Sequence, residues 1–115
     1  MLASVNLEAQ YSPNKGGHTM NVVSFNVSNT HINTELGHMR GRKLEGVECN
    51  ENELKFCFAD TIINDKKIVV KRYTKPQHTE SDVNGEISNY YDDRLLNAIR
   101  IFERKTFWIV IFEEM

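Results

Sequence analysis

Val5, Leu7, Ala9 and Tyr11 alternate with Ser4, Asn6, Glu8 and Gln10, the period-two pattern of a strand with one buried face and one wet face. Ser12-Pro13-Asn14-Lys15-Gly16-Gly17 predicts a turn. Val23, Phe25 and Val27 then alternate with Ser24, Asn26 and Ser28, so this part of the chain reads as a hairpin with a long loop. From Asn29 to Lys43 the pattern dissolves into polar residues with Gly37 and Gly41, a connection with room for one short helical turn. A meander of three strands follows: Leu44–Cys49, Leu54–Ile63 and Lys67–Tyr73. In its middle strand Leu54, Phe56 and Phe58 share one face and Lys55, Cys57 and Ala59 the other. Ile68, Val69 and Val70 are β-branched in a row, so the second and third strands both read as internal.

Lys75 to Gly85 is mostly polar and reads as a mobile connection. A helix is expected after it, with Tyr91, Leu95, Ala98, Ile99 and Phe102 on one side and Arg94, Asn97, Arg100 and Arg104 on the other. Ser88 or Asn89 would cap it, with Asp92 and Asp93 in the first turn and Arg104 and Lys105 in the last, where the helix dipole favours each sign. Thr106 to Phe112 is β-branched and aromatic without a charge, which predicts a strand buried on both faces. The expected fold is α+β, a single domain over residues 1–115: a mostly antiparallel sheet of about six strands, one C-terminal amphipathic helix and a buried final strand. One helix covers one sheet face, so either the sheet curls or an apolar patch stays open for a partner.

Composition narrows the function classes. The chain has 115 residues, 40% of them hydrophobic, enough for one core and too many for a disordered chain. Fourteen Lys and Arg against 16 Asp and Glu give a net charge of −2, without the basic excess of a general nucleic-acid binder. The longest apolar run, Phe107 to Phe112, is far below the ~20 residues of a membrane-spanning helix. Met1 to Tyr11 has no Lys or Arg and no signal-peptide core, so the expected location is cytoplasmic, without membrane attachment. Asn26-Val27-Ser28 matches a glycosylation acceptor and reads as coincidence inside a strand. Cys49 and Cys57 read as buried thiols, and the spacing leaves open whether they face each other or point apart.

Motifs for catalysis are missing: there is no G-x-S-x-G, Walker loop, G-x-G-x-x-G or H-E-x-x-H. His31, Glu35 and His38 would share one helix face and could hold a metal, but Gly37, Asn33 and Thr34 oppose a helix there, and a polar loop is the preferred reading. Gly16-Gly17-His18 could set a His beside a backbone anion nest, a very weak pattern. No catalytic residue, metal ligand or cofactor is assigned.

Two charged sets remain. Arg40, Arg42, Lys43, Lys67, Lys71 and Arg72 form a basic set. Lys67, Val69, Lys71 and Tyr73 would share one strand face, a basic stripe ending in an aromatic that suits single-stranded nucleic acid unless neighbouring acids neutralise it. Glu80, Asp82, Glu86, Asp92 and Asp93 form the acidic set, with no Lys or Arg between Lys75 and Arg94. An acidic segment beside Tyr90 and Tyr91 suits docking onto a basic protein, the charges steering and an aromatic anchoring. The leading expectation is therefore a non-enzymatic interaction protein, a small stoichiometric inhibitor of the immunity or anti-defence type that occludes a partner such as a basic toxin or nuclease. Nucleic-acid binding through the basic set is the alternative, and a small metal- or His-dependent enzyme comes third.

Overall fold

The computed structural model describes residues 20–63, 66–93 and 96–114. The expected first strand, Val5 to Tyr11, and the Gly16-Gly17-His18 pattern lie outside the described residues. In order come β1 (Met20–Asn26), α1 (Ile32–Leu36) with a 3-10 turn (Gly37–Met39), β2 (Arg42–Cys49), β3 (Glu53–Ile62), β4 (Lys67–Thr74), α2 (Glu80–Asp93), β5 (Leu96–Glu103) and β6 (Phe107–Glu114). The chain forms two compact units, Met1–Asp65 and Lys66–Met115. The architecture is α+β, with two three-stranded antiparallel sheets in place of the one expected sheet of six strands, ordered β1-β3-β2 and β4-β6-β5.

In the first unit β3 is central. Val23 and Phe25 of β1, with Leu54, Phe56 and Phe58 of β3, supply one buried face, and Phe25 meets Phe56 edge-on at 6.0 Å between ring centroids. On the other face Val22, Ser24 and Cys57 are also buried. Lys55 is buried there too, its ammonium 3.0 Å from the carboxylate of Glu48 directly across the β2–β3 ladder. Cys49 sits opposite Leu54 on β3, three residues from Cys57, so the two thiols point to opposite faces and form no disulfide with each other. The β2–β3 turn is closed by Asn50, whose Oδ1 accepts from the amides of Asn52 and Glu53 at 2.8 and 2.7 Å. Before β2, Gly41 has φ 86°, a left-handed conformation that glycine adopts without strain.

The meander does not continue into β4. Both edges of β3 are already occupied by β1 and β2, so Lys67–Thr74 pairs with β6 and forms an edge of the second sheet. The expected internal place for this strand is thereby corrected. Central in that sheet is β6, whose residues 107 to 112 are all buried, as expected of an apolar strand with two wet-averse faces.

The helix is also displaced. Leu96–Glu103, expected as its second half, is a strand, and the helix occupies Glu80–Asp93, so that it begins inside the expected mobile connection and ends where the expected helix had its first turn. Ile99 and Ile101 alternate with Arg100 and Phe102, so this segment satisfies a strand period as well as a helical one. Pairing decides between them: β6 needs a partner on each edge, and the two-residue turn Lys105-Thr106 delivers β5 to it, Arg104 N–H donating to the Phe107 carbonyl at 2.8 Å. Strands β4 and β5, both antiparallel to β6, run parallel to each other and are linked by α2. The helix lays Val83 and Tyr90 on Tyr73, Trp108, Val110 and Phe112, with Val69, Ile87 and Ile99 packed around them. No helix among the described residues is long and apolar enough to cross a membrane.

Candidate functional site

The acidic segment folds as α2. Its start is a reciprocal cap: the Thr79 amide donates to Asp82 Oδ2 at 2.9 Å, and the Asp82 amide donates to Thr79 Oγ1 at 3.2 Å. This satisfies two helix-end donors at once. The bond from the Thr79 amide, then its hydroxyl, holds the Asp82 carboxyl below the usual range, with His78 adding a smaller pull the same way. Val83, Ile87 and Tyr90 follow at i, i+4 and i+7 and form the buried side.

The rest of the helix surface is polar. Glu80, Asp82 and Glu86 are exposed, and Tyr91 is 50% exposed. Asp92 and Asp93 complete the last turn, and their side chains lie outside the described set. With no basic residue in that turn, these two acids lie at the negative end of the helix dipole, the reverse of the expected first-turn placement. Five carboxylates and no Lys or Arg therefore belong to one helix.

Tyr90 differs from its expected place on the docking surface. Its ring stacks on Phe112 at 3.9 Å between centroids, and its hydroxyl donates to Glu114 Oε2. The other carboxylate oxygen of Glu114 lies 3.5 Å from Lys67 Nζ. Only Tyr91 of the pair is presented outward. Near the helix start, burial raises the Tyr73 phenol above its ordinary value, and the charge of Glu86 adds to the rise. Tyr73 meets the His78 ring edge-on at 5.3 Å.

The basic set is not one open stripe. Lys67, Val69, Lys71 and Tyr73 do share a strand face, but it is the face that α2 covers: Val69 and Tyr73 pack in the core, and Lys71 Nζ lies 5.2 Å from the Tyr90 ring. The sequence pattern gave the common face correctly and could not show what lay over it. Arg72 is on the opposite face, over the Phe107 ring at 5.3 Å. Arg42 donates to the Asp60 carbonyl at 2.9 Å, Lys43 sits 3.9 Å from Glu45, and Arg40 is exposed in the turn before β2.

Helix α1 stops at Leu36, leaving His31 at its N-cap and His38 in the 3-10 turn. The shared face that His31, Glu35 and His38 require is not formed. Among the described residues no three His, Cys, Asp or Glu side chains converge as metal ligands. The open apolar sheet face also fails to appear on β6: Phe107, Ile109 and Ile111, opposite the helix side, are buried.

The Thr79–Asp82 cap and the Val83–Ile87–Tyr90 stripe were missed in the sequence. A Thr followed three residues later by an acid, ahead of apolar residues at helical spacing, is the signal that marks them. Compared with protein-family models, with curated proteins and with solved structures, the chain has no significant match.

Proposed function

We propose that the protein is a non-enzymatic interaction module that binds and occludes a basic protein surface through the outer side of α2. The observation that carries this reading is the charge of Glu80–Asp93, five carboxylates without a Lys or Arg, on a helix whose other side is anchored in a core. A fixed helix presents such charges in a constant arrangement, which favours steering and orientation of an encounter. Tyr91, half-exposed on the same helix, supplies an aromatic of the kind that anchors interfaces.

The test uses a partner captured by the full chain and then purified. Glu80→Gln with Glu86→Gln is expected to slow association several-fold at low salt, with the difference shrinking as salt screens it. Tyr91→Ala is expected to speed dissociation several-fold. An unchanged association rate at low ionic strength overturns the reading. Asp82 is left intact because it caps the helix, and Tyr90 because it is a core residue.

A further inference from the structure

The geometry points to a second copy of this chain as the partner of the outer edge of β5, forming a two-fold dimer with Ile101 at its centre. Strand β5 ends the order β4-β6-β5, and among the described residues no strand lies against its outer edge. The hydrogen bond from Arg104 N–H to the Phe107 carbonyl makes that pair a hydrogen-bonded one, and antiparallel pairs alternate in type. Phe102 and Arg100 therefore turn their amides and carbonyls to β6, while Glu103, Ile101 and Ile99 turn theirs outward.

That edge is unlike two others. Register shifts at Arg42/Leu44 and Leu44/Gly46 break the ladder of β2, and β4 carries Lys67, Lys71 and Arg72, both devices that oppose edge pairing. At the middle of the outward groups of β5 stands Ile101, 51% exposed. It lies opposite Val110, on the sheet face that carries α2.

Charge selects both the occupant and the register. With the two-fold axis at Ile101, antiparallel pairing sets Ile101 against Ile101, Ile99 against Glu103 and Arg100 against Phe102, with no like charges facing. The Ile99–Glu103 and Ile101 pairs give about six main-chain hydrogen bonds, all between groups already turned outward. Centring on Arg100 or Glu103 sets each against its own copy, and centring on Phe102 sets Arg100 against Arg104; like charges directly opposite are destabilising. Centring on Ile99 runs the pairing into the irregularity between Leu96 and Ala98. The product is a continuous sheet of six strands, β4-β6-β5 joined to its copy, closed by symmetry.

Sedimentation of the full chain over a concentration series is expected to show a monomer of 13.4 kDa converting to a species of twice that mass. Ile101→Lys, which sets ammonium against ammonium, is expected to raise the dissociation constant at least about tenfold while leaving the circular dichroism unchanged. Ile101→Cys is expected to give a covalent dimer with a short bis-maleimide cross-linker, since facing hydrogen-bonded residues sit about 5.5 Å apart at Cα. This second variant decides the matter if Ile101→Lys fails to fold. A wild-type chain monomeric up to about 1 mM, a dimer that survives Ile101→Lys, an open-ended assembly, or a dimer that Ile101→Cys does not cross-link overturns the proposal.

Discussion

Trp108 shows how much one side chain can carry. It is buried in the cluster under α2, and the ammonium of Lys75, 2.7 Å from Glu103, lies 4.4 Å from the centre of its ring. Trp108→Ala removes a large buried surface and leaves a cavity, so a loss of about 3 to 5 kcal/mol is expected in urea unfolding. Ser24 argues in the opposite direction. Its hydroxyl is fully buried and has no hydrogen-bond partner among the described residues, so the folded state bears an uncompensated desolvation cost. Ser24→Ala should therefore leave stability equal or raise it by up to about 1 kcal/mol, where an ordinary buried serine would lose stability.

At the scale of elements α2 is the informative case. Gly85 lies on its exposed side, and a Cβ there meets nothing within 4 Å, so Gly85→Ala should stabilise the protein by about 0.8 to 1 kcal/mol in the same unfolding measurement. The cap at its start has a pH signature. Because the folded-state carboxyl of Asp82 is lowered, its contribution is present above the unfolded value near 4 and is lost as pH falls through the lower folded value. Asp82→Asn should flatten that part of the acid unfolding curve. The charge run of this helix was plain in the sequence; its periodicity was not, because among its described side chains only Val83 and Tyr90 are buried and Ile87 partly so, with Gly85 between them. By contrast β1, β2, β3 and β6 were legible, since alternation or an unbroken apolar run fits no other element there. β5 was misread because a segment whose residues fit two periods is assigned by its neighbour, and that neighbour follows it in the chain.

For the molecule as a whole, the existence of strands was legible and their grouping was not. Pairing depends on which edges are free, and no local pattern records that β3 has none left for β4. The ladders also join distant residues: Met20 faces Ala59 and Lys67 faces Glu114. Sheets closed by such long connections fold slowly, so stopped-flow fluorescence of Trp108, the one tryptophan, should show refolding in milliseconds to seconds rather than microseconds.

Both sheets share an arrangement that bears on their birth at the ribosome. The order β1-β3-β2 and the order β4-β6-β5 each put in the middle the strand that is translated last of its three. Until residues 107–114 have emerged, β4 and β5 have no common neighbour to hold them, and Ile68, Val69, Val70, Ile99 and Ile101 are without the strand that organises them. The first unit reaches the same point about fifty residues earlier, at Ile62, so domain-wise folding during synthesis gives it a head start. The nascent second unit, meanwhile, keeps apolar side chains and strand edges uncovered until its last strand arrives.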